Sequence, residues 1–331
     1  MKSEVQSLRG LACVLLVIYH VVGADPTRGL RVSEGTLRLM CDALAVVRMP
    51  LFALLAGAMY GRRPKASWTA IDGKFRRLIV PMLTIGTIFA IVQASVPGTN
   101  VQLVDWRLLH IVPVAHYWFL ESLFLVFCTV MLVEQIGILR YSAGFAVVFS
   151  MACAVYLSHP GFVWLGVAGA AYLMPFFLCG MALERYQQLT LFRMKFAAPV
   201  LLLFGLTVMV LFISPAPEQN RYTPEMLLTG LLLSAGLWLR PFRSGVLARI
   251  GFYSYAIFLY HAFFTAAARI TMERFGLRDI SSNLAVGLAL GLLGPMLLQR
   301  IFVRSNVLRV FALGMRTKSE EAAGRVAKQP A

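Results

Sequence analysis

Long runs of apolar residues alternate with short polar segments along the whole chain. Ten of these runs are roughly 17 to 25 residues long, the length that a helix needs to cross the hydrocarbon core of a bilayer, although the eighth is a little shorter. They cover residues 8–24, 43–60, 78–96, 116–136, 142–158, 161–183, 196–214, 224–239, 250–271 and 283–304. The pattern predicts an all-α, polytopic membrane protein with about ten transmembrane helices.

Composition and charge agree with this prediction. Of the 331 residues, 59% are hydrophobic and only 14% are charged, which is outside the range of soluble domains. The net charge of +16 comes from lysines and arginines that lie mostly between the apolar runs. We interpret them as topology signals rather than as a nucleic-acid surface, and the positive-inside rule then places both termini in the cytoplasm. We expect one membrane domain, residues 1–314, and a disordered cytoplasmic tail, residues 315–331.

Two other features exclude classes of structure. The five cysteines are scattered without paired or metal-type spacing, so we expect neither a disulfide framework nor a metal site. The basic start, the first apolar run and the sequence Val22-Gly23-Ala24 are similar to a cleavable signal peptide. Glu4 and Arg9 are atypical of such a peptide, and we expect the first helix to be retained.

The first run, SLRGLACVLLVIYH at residues 7–20, contains the most informative pair of polar residues. In a helix, Arg9 and His20 fall on one face, because eleven steps of 100° come within about 20° of whole turns. They are roughly 16 Å apart along the axis. An ionisable residue as deep in the bilayer as His20 is costly unless it faces protein or water, so His20 is a functional candidate. A histidine that only bonds a neighbouring helix is the plain alternative.

Three further titratable residues fall at compatible depths in other predicted helices. They are Arg48, Glu121 and His261, and together with His20 they predict a shared polar cavity. Within it, His20 is a candidate general base with Glu121 as its carboxylate partner. Arg48 and His261, with Trp118, are candidate substrate-binding residues. An Arg48–Glu121 ion pair in a purely structural network is the alternative.

The second linker, residues 61–77, is strongly basic. Lys74, Arg76 and Arg77 lie at its end, and with Arg9 they are candidates to bind the phosphates of a nucleotide-containing donor. The separation of Arg9 from His20 is about the length of a pantetheine arm. An acyl-CoA could therefore keep its phosphates in the cytoplasm while its acyl carbon reaches His20. Positive-inside anchoring alone is the other explanation of this cluster.

Five blocks in order along the chain resemble the membrane-bound acyltransferase family 3, including its fucose 4-O-acetylase-like branch. They are SLRGLACVLLVIYH at 7–20, RMPLFALLAGAMYGRR at 48–63, KFRRLIVP at 74–81, HYWFLESLF at 116–124 and GFYSYAIFLYH at 251–261. The chain departs from the family pattern at Ala56, where a serine is usual, and at Lys74, where the first arginine of an arginine-x-x-arginine motif is usual. Lys74 keeps the charge but loses the planar, bidentate donor.

The resemblance implies transfer of an acyl group, most often acetyl, from cytoplasmic acyl-CoA to a hydroxyl of a surface polysaccharide or lipid-linked sugar. It implies a multi-pass protein of the bacterial inner membrane with no tightly bound cofactor. By resemblance His20 is catalytic and Arg9 is its motif partner, with Lys74 and Arg77 on the donor side. Two alternatives stay open: a transporter or flippase for a lipid-linked sugar, and a structural subunit of a polysaccharide assembly complex.

Overall fold

The computed structural model describes residues 2–64, 66–97, 105–162, 164–212 and 221–320, and this part of the chain is built almost entirely from helices. Its α-helices are α1 (Lys2–Val22), α2 (Thr36–Arg62), α3 (Trp68–Lys74), α4 (Val80–Ser95), α5 (Trp118–Ile136), α6 (Ser142–Leu157), α7 (Val167–Arg185), α8 (Gln187–Leu211), α9 (Pro224–Leu239), α10 (Gly245–Phe252), α11 (Ser254–Arg274), α12 (Ile280–Phe302) and α13 (Asn306–Phe311). A π-helical turn, Phe75–Ile79, joins α3 to α4. The all-α prediction is confirmed.

Each of the ten predicted apolar runs contains a helix, but the helices differ in length. Within the described ranges, six helical segments are long and apolar enough to cross a membrane, and α10 with α11 forms a seventh if that bent pair counts as one span. Three further apolar helices are shorter, at Ser142–Leu157, Ala197–Leu211 and Pro224–Leu239. The chain is therefore a multi-pass membrane protein. The count of ten spans and the cytoplasmic position of the termini stay predictions.

The ninth predicted run is not one straight helix. The chain bends by 81° between α10 and α11, at Tyr253, inside the run predicted over residues 250–271. Gly251 lies at the crossing of α10 and α1, where an added Cβ would sit 1.9 Å from the carbonyl oxygen of Gln6. The bend thus allows α10 to lie directly on α1 while α11 continues along the bundle.

Helix α1 lies inside the bundle and contacts α2, α10, α11 and α12. Its residues Leu8, Ala12 and Leu16 are buried. Helices α2 and α7 also approach backbone to backbone, since an added Cβ at Gly57 would lie 1.9 Å from the carbonyl oxygen of Phe177. Only glycine allows this approach, and Gly57 with Gly61 forms the small-xxx-small spacing that brings membrane helices together. These contacts fix α1 and α2, the helices that carry Arg9, His20 and Arg48.

The end of the described chain packs against the π-helical turn. The Tyr260 hydroxyl donates to the carbonyl of Ala312 at 2.7 Å, and Arg77 Nη1 donates to the carbonyl of Leu313 at 3.0 Å. The segment predicted to be a disordered tail begins at residue 315, and its first residues, Met315–Glu320, make hydrogen bonds to this region. Residues 321–331 of that prediction lie outside the described residues.

Candidate functional site

Three histidines from three different parts of the chain form one cluster. His20 comes from the last turn of α1, His116 from the helical turn before α5, and His261 from the middle of α11. The ring centroid of His261 is 4.7 Å from that of His20 and 4.7 Å from that of His116, and the His20 and His116 centroids are 5.8 Å apart. The structure thus brings the predicted His20 and His261 together and adds His116, which the sequence analysis did not select.

The three rings differ in their hydrogen bonding and exposure. His261 is fully buried, and its Nδ1 is 2.8 Å from the carbonyl oxygen of Ile257 and 3.0 Å from that of Phe258. Because both carbonyls can only accept, Nδ1 carries the proton. Among the described residues, no partner satisfies the buried Nε2 atom of His261 or that of His116. His20 is partly exposed to the cavity described next.

A cavity of about 560 Å³ opens at the end of the bundle where α1 ends, and the histidine cluster is at its inner end. His20, Arg48, His116 and Trp118 line it, with the loop after α1 and parts of α4, α11 and α12 forming its walls. His261 does not line the cavity but lies behind His20 and His116. A volume of this size accommodates a sugar-sized ligand, and Trp118 offers an aromatic face of the kind that stacks on one.

Positive charge lies near the histidines. The Arg48 guanidinium carbon is 3.6 Å from the centroid of the Tyr19 ring, and its charge is close enough to act on His20 and His261.

At the mouth of the cavity, Asp25 forms an ion pair with Arg28 at 3.3 Å. Partial burial opposes ionisation of Asp25, but hydrogen bonds from the Thr27 side chain and backbone outweigh it and lower the Asp25 pKa. Asp25 therefore remains a carboxylate at neutral pH.

Glu121 does not join the histidines. Its side chain lies beside Gly166 at the start of α7, where an added Cβ on that glycine would be 3.1 Å from Glu121 Cγ. Glu121 is buried and does not line the cavity, and its Oε2 atom has no hydrogen-bond partner among the described residues. The groups next to His20 are instead two imidazoles. His261 and His116 occupy the place where a carboxylate partner was expected.

A second cluster of charged residues lies near the opposite end of α1. Arg9, Lys74 and Arg77 are close enough for their charges to interact, and within the described ranges none of the three forms an ion pair with a carboxylate. Arg77 stacks on Tyr255, with its guanidinium carbon 3.9 Å from the ring centroid, and Lys74 Nζ is 3.6 Å from the ring centroid of Phe127. We call Arg9, Lys74 and Arg77 the cation cluster. Three half-buried positive charges without an acidic partner favour an anionic ligand.

Arg76 points away from this cluster. Its guanidinium pairs with Asp72 at 3.0 Å and with Glu320 at 3.3 Å. The two side chains separate because neighbouring residues of a helical turn project roughly a quarter turn apart. Arg77 stacks on Tyr255, while Arg76 pairs with acids at the surface. The structure therefore brings Arg9, Lys74 and Arg77 together, and it places the fourth predicted cation, Arg76, among acids.

Arg9 of the cation cluster and His20 of the histidine cluster lie on one helix, but the cavity does not join the two clusters. Since α1 is one unbroken helix, Arg9 and His20 share a face roughly 16 Å apart, as predicted. The cavity ends at Leu16, and the three cations do not line it. Leu16 and Cys13, on the same face between Arg9 and His20, are buried.

Three residues of the site, His116, Tyr255 and Phe127, were not among the candidates predicted from the sequence. His116 stands next to an aromatic run, HYWF, where it has the pattern of a boundary residue. Two aromatic residues that contact cations, Tyr255 and Phe127, have no local signal. Only tertiary packing brings Phe127 of α5 to Lys74 of α3 and Tyr255 of α11 to Arg77 of the π-helical turn.

Comparison with known protein families gives a match. A family model described as an acyltransferase domain, that of acyltransferase family 3, matches residues 3–300. A search of curated proteins and a search of solved structures found no match. The matched region contains every residue of the histidine cluster, the cavity lining and the cation cluster.

Proposed function

Because the chain belongs to the membrane-bound acyltransferase family 3 and is therefore an acyltransferase, we propose that it moves an acetyl group from acetyl-CoA to a sugar hydroxyl. The acceptor is a surface polysaccharide or a lipid-linked sugar, and the protein works in a bacterial inner membrane with its termini in the cytoplasm. One observation carries the proposal: the cation cluster and the cavity lie at opposite ends of α1, with His20 between them.

The cation cluster is the proposed donor site. Coenzyme A carries several phosphate charges, and Arg9, Lys74 and Arg77 supply positive charges that the described chain leaves without acidic partners. From there the pantetheine arm would follow α1 over roughly 16 Å to bring the thioester to His20. Since Leu16 is buried on this path, donor binding requires that side chains along this face of α1 move apart.

The cavity is the proposed acceptor site. It approaches His20 from the end of the bundle opposite the cation cluster, so donor and acceptor meet from two sides of the membrane. Trp118 would stack on the sugar ring, and Arg48 would bind its polar groups. With the N-terminus inside, as the distribution of lysine and arginine predicts, the cavity faces the periplasm.

In the reaction, the free ring nitrogen of His20 takes the proton of the acceptor hydroxyl as the hydroxyl oxygen attacks the thioester carbonyl carbon. A carbon–oxygen bond forms and the carbonyl π electrons move to oxygen, giving a tetrahedral intermediate. The carbon–sulfur bond then breaks, the carbonyl re-forms, and the leaving sulfur receives the proton from His20. Direct transfer needs no acyl-enzyme, in keeping with the absence of a Gly-x-Ser-x-Gly nucleophile elbow from the sequence.

Mass spectrometry of the cell-surface glycan tests the proposal. Cells that carry the wild-type gene should show an acyl mass increment that cells lacking the gene, and cells carrying His20→Ala, do not show. His159→Gln is the matched histidine control, because His159 is exposed and lies outside the cavity lining. An unmodified glycan in wild-type cells, together with transport of a lipid-linked sugar, would instead favour the transporter alternative. Acylation that persists in His20→Ala at wild-type membrane levels would remove the mechanism.

A further inference from the structure

His261 has one nitrogen that is fixed and another that is unsatisfied. Its Nδ1–H donates to the carbonyls of Ile257 and Phe258, so Nε2 is left as a lone-pair acceptor. This Nε2 atom is buried and has no partner among the described residues. A buried acceptor without a hydrogen bond is destabilising, so a donor close to it is expected.

Only a few groups can supply that donor. The charge of Arg48 reaches His261, but its guanidinium is stacked on the Tyr19 ring. The rings around His261 are His20, His116 and Phe258, and Phe258 has no polar atom. The backbone carbonyls of Leu259 and Phe258 are the hydrogen-bond acceptors next to the His116 ring, so the N–H of His116 is already committed. His261 does not line the cavity and depends on its neighbours. His20, 4.7 Å away between ring centroids, is on the path between the cavity and His261 and needs one N–H direction fixed if its other nitrogen is to act as a base.

We propose that His261 is a positioning residue for the acyl transfer: its Nε2 accepts a hydrogen bond from one ring N–H of His20 and thereby turns the other nitrogen of His20 into the cavity. This inference rests on the proposed function. It assigns to a neutral imidazole the role that the sequence analysis gave to Glu121.

The proton balance of the reaction is unchanged by this role. His20 gains the hydroxyl proton on its cavity-facing nitrogen and returns it to the leaving sulfur, while its other N–H stays bonded to His261. The proton of His261 stays on Nδ1, which donates to the Ile257 and Phe258 carbonyls throughout. When His20 becomes a cation, its hydrogen bond to His261 strengthens, because charge-assisted hydrogen bonds are the stronger ones. Arg48, which is close to both rings, opposes that cation, and the bond to His261 offsets part of this repulsion.

Two variants with opposite packing and hydrogen-bonding properties test the role. His261→Phe keeps an aromatic ring in the buried site but has no acceptor, whereas His261→Gln keeps an acceptor but packs less well. If His261 positions His20, His261→Phe should lower kcat about 100-fold and His261→Gln should retain more activity than His261→Phe. The KM values for donor and acceptor should change less than about threefold in both variants. A structural role predicts the reverse order, since the apolar ring is the better substitute in a buried apolar site.

Two measurements make the outcome decisive. Carbethoxylation of His20 by diethyl pyrocarbonate, followed by peptide mass spectrometry, should be slower in His261→Phe than in wild type and His159→Gln. The second measurement compares wild-type protein and His20→Ala, both labelled with ¹⁵N-histidine. The Nε2 resonance of His261 should differ between the two, and this test needs no stable His261 variant.

The proposal is overturned if His261→Phe is as active as His261→Gln, or if the rate of His20 labelling is the same in His261→Phe as in wild type. It is also overturned if the His261 Nε2 resonance is unchanged in His20→Ala. His20→Ala is assayed for transfer in parallel. If that variant transfers acetyl, the proposed mechanism of His20 fails; if it is inactive while His261→Phe is active, only the role of His261 fails.

Discussion

The sharpest prediction concerns Arg77 and the donor phosphates. The guanidinium is held in place by Tyr255, at 3.9 Å, and by the carbonyl of Leu313, at 3.0 Å, so it is oriented before a donor binds. A hydrogen bond between charged groups contributes about 1.5–3 kcal/mol, and each 1.4 kcal/mol is a factor of ten in affinity. Arg77→Met should therefore weaken acetyl-CoA binding by roughly 10- to 100-fold.

The assay compares two donors that share the thioester but differ in phosphate. The KM for acetyl-CoA should rise by that factor, whereas the KM for acetyl-pantetheine, which has no phosphate, should change less than about threefold. Arg63→Met is the matched control, because Arg63 is an exposed arginine of the same linker. Equal losses with both donors would mean that Arg77 supports the fold rather than the phosphates. An unchanged KM for acetyl-CoA would refute the donor site.

Three further predictions follow from the packing. Gly57→Leu should push α2 away from α7 and lower the free energy of unfolding by about 1–3 kcal/mol, seen as a lower melting temperature in fluorescence-detected size-exclusion chromatography. Gly73→Ala, whose added Cβ meets no atom within 4 Å, should leave the melting temperature unchanged. Trp118→Ala should raise the acceptor KM without changing the donor KM, and Trp68→Ala, at an 83% exposed position, should change neither. Tyr255→Phe removes the hydroxyl that donates to the Arg77 carbonyl and should raise the donor KM by roughly 2- to 10-fold.

Helical periodicity was sufficient to place Arg9 relative to His20. Both residues belong to one helix, and within one helix the spacing in sequence sets the angle and the distance. The predicted depth in the bilayer was also sufficient to predict that His20, His261 and Arg48 lie close together, because polar groups in apolar helices have to share a protected space.

Depth alone could not distinguish the two faces of α5. His116 and Glu121 are five residues apart, and both are polar groups near the same end of that helix. Only the rotation of α5 against α7 and α11 decides that His116 meets His261 while Glu121 meets Gly166. That rotation is set by tertiary packing, which a single sequence does not encode in its periodicity.

Backbone irregularities were also beyond the sequence pattern. Arg76 and Arg77 are neighbours in the π-helical turn at Phe75–Ile79, and the sequence pattern does not predict which of the two faces Arg9. The bend at Tyr253 likewise interrupts a run whose hydropathy is continuous. The GxxxG spacing of Gly57 and Gly61 was present in the sequence, but its partner, α7, became evident only from the structure.

Acetyl transfer in sealed proteoliposomes shows whether the donor and the acceptor reach His20 from opposite sides of the membrane. Acetyl-CoA is supplied only on the side that the cation cluster faces, and a sugar acceptor only on the side where the cavity opens. We predict an acetylated sugar with wild-type protein and with His159→Gln. We predict none with His20→Ala, and none when donor and acceptor exchange sides. Product formed equally from either arrangement, or formed by His20→Ala, would contradict this prediction.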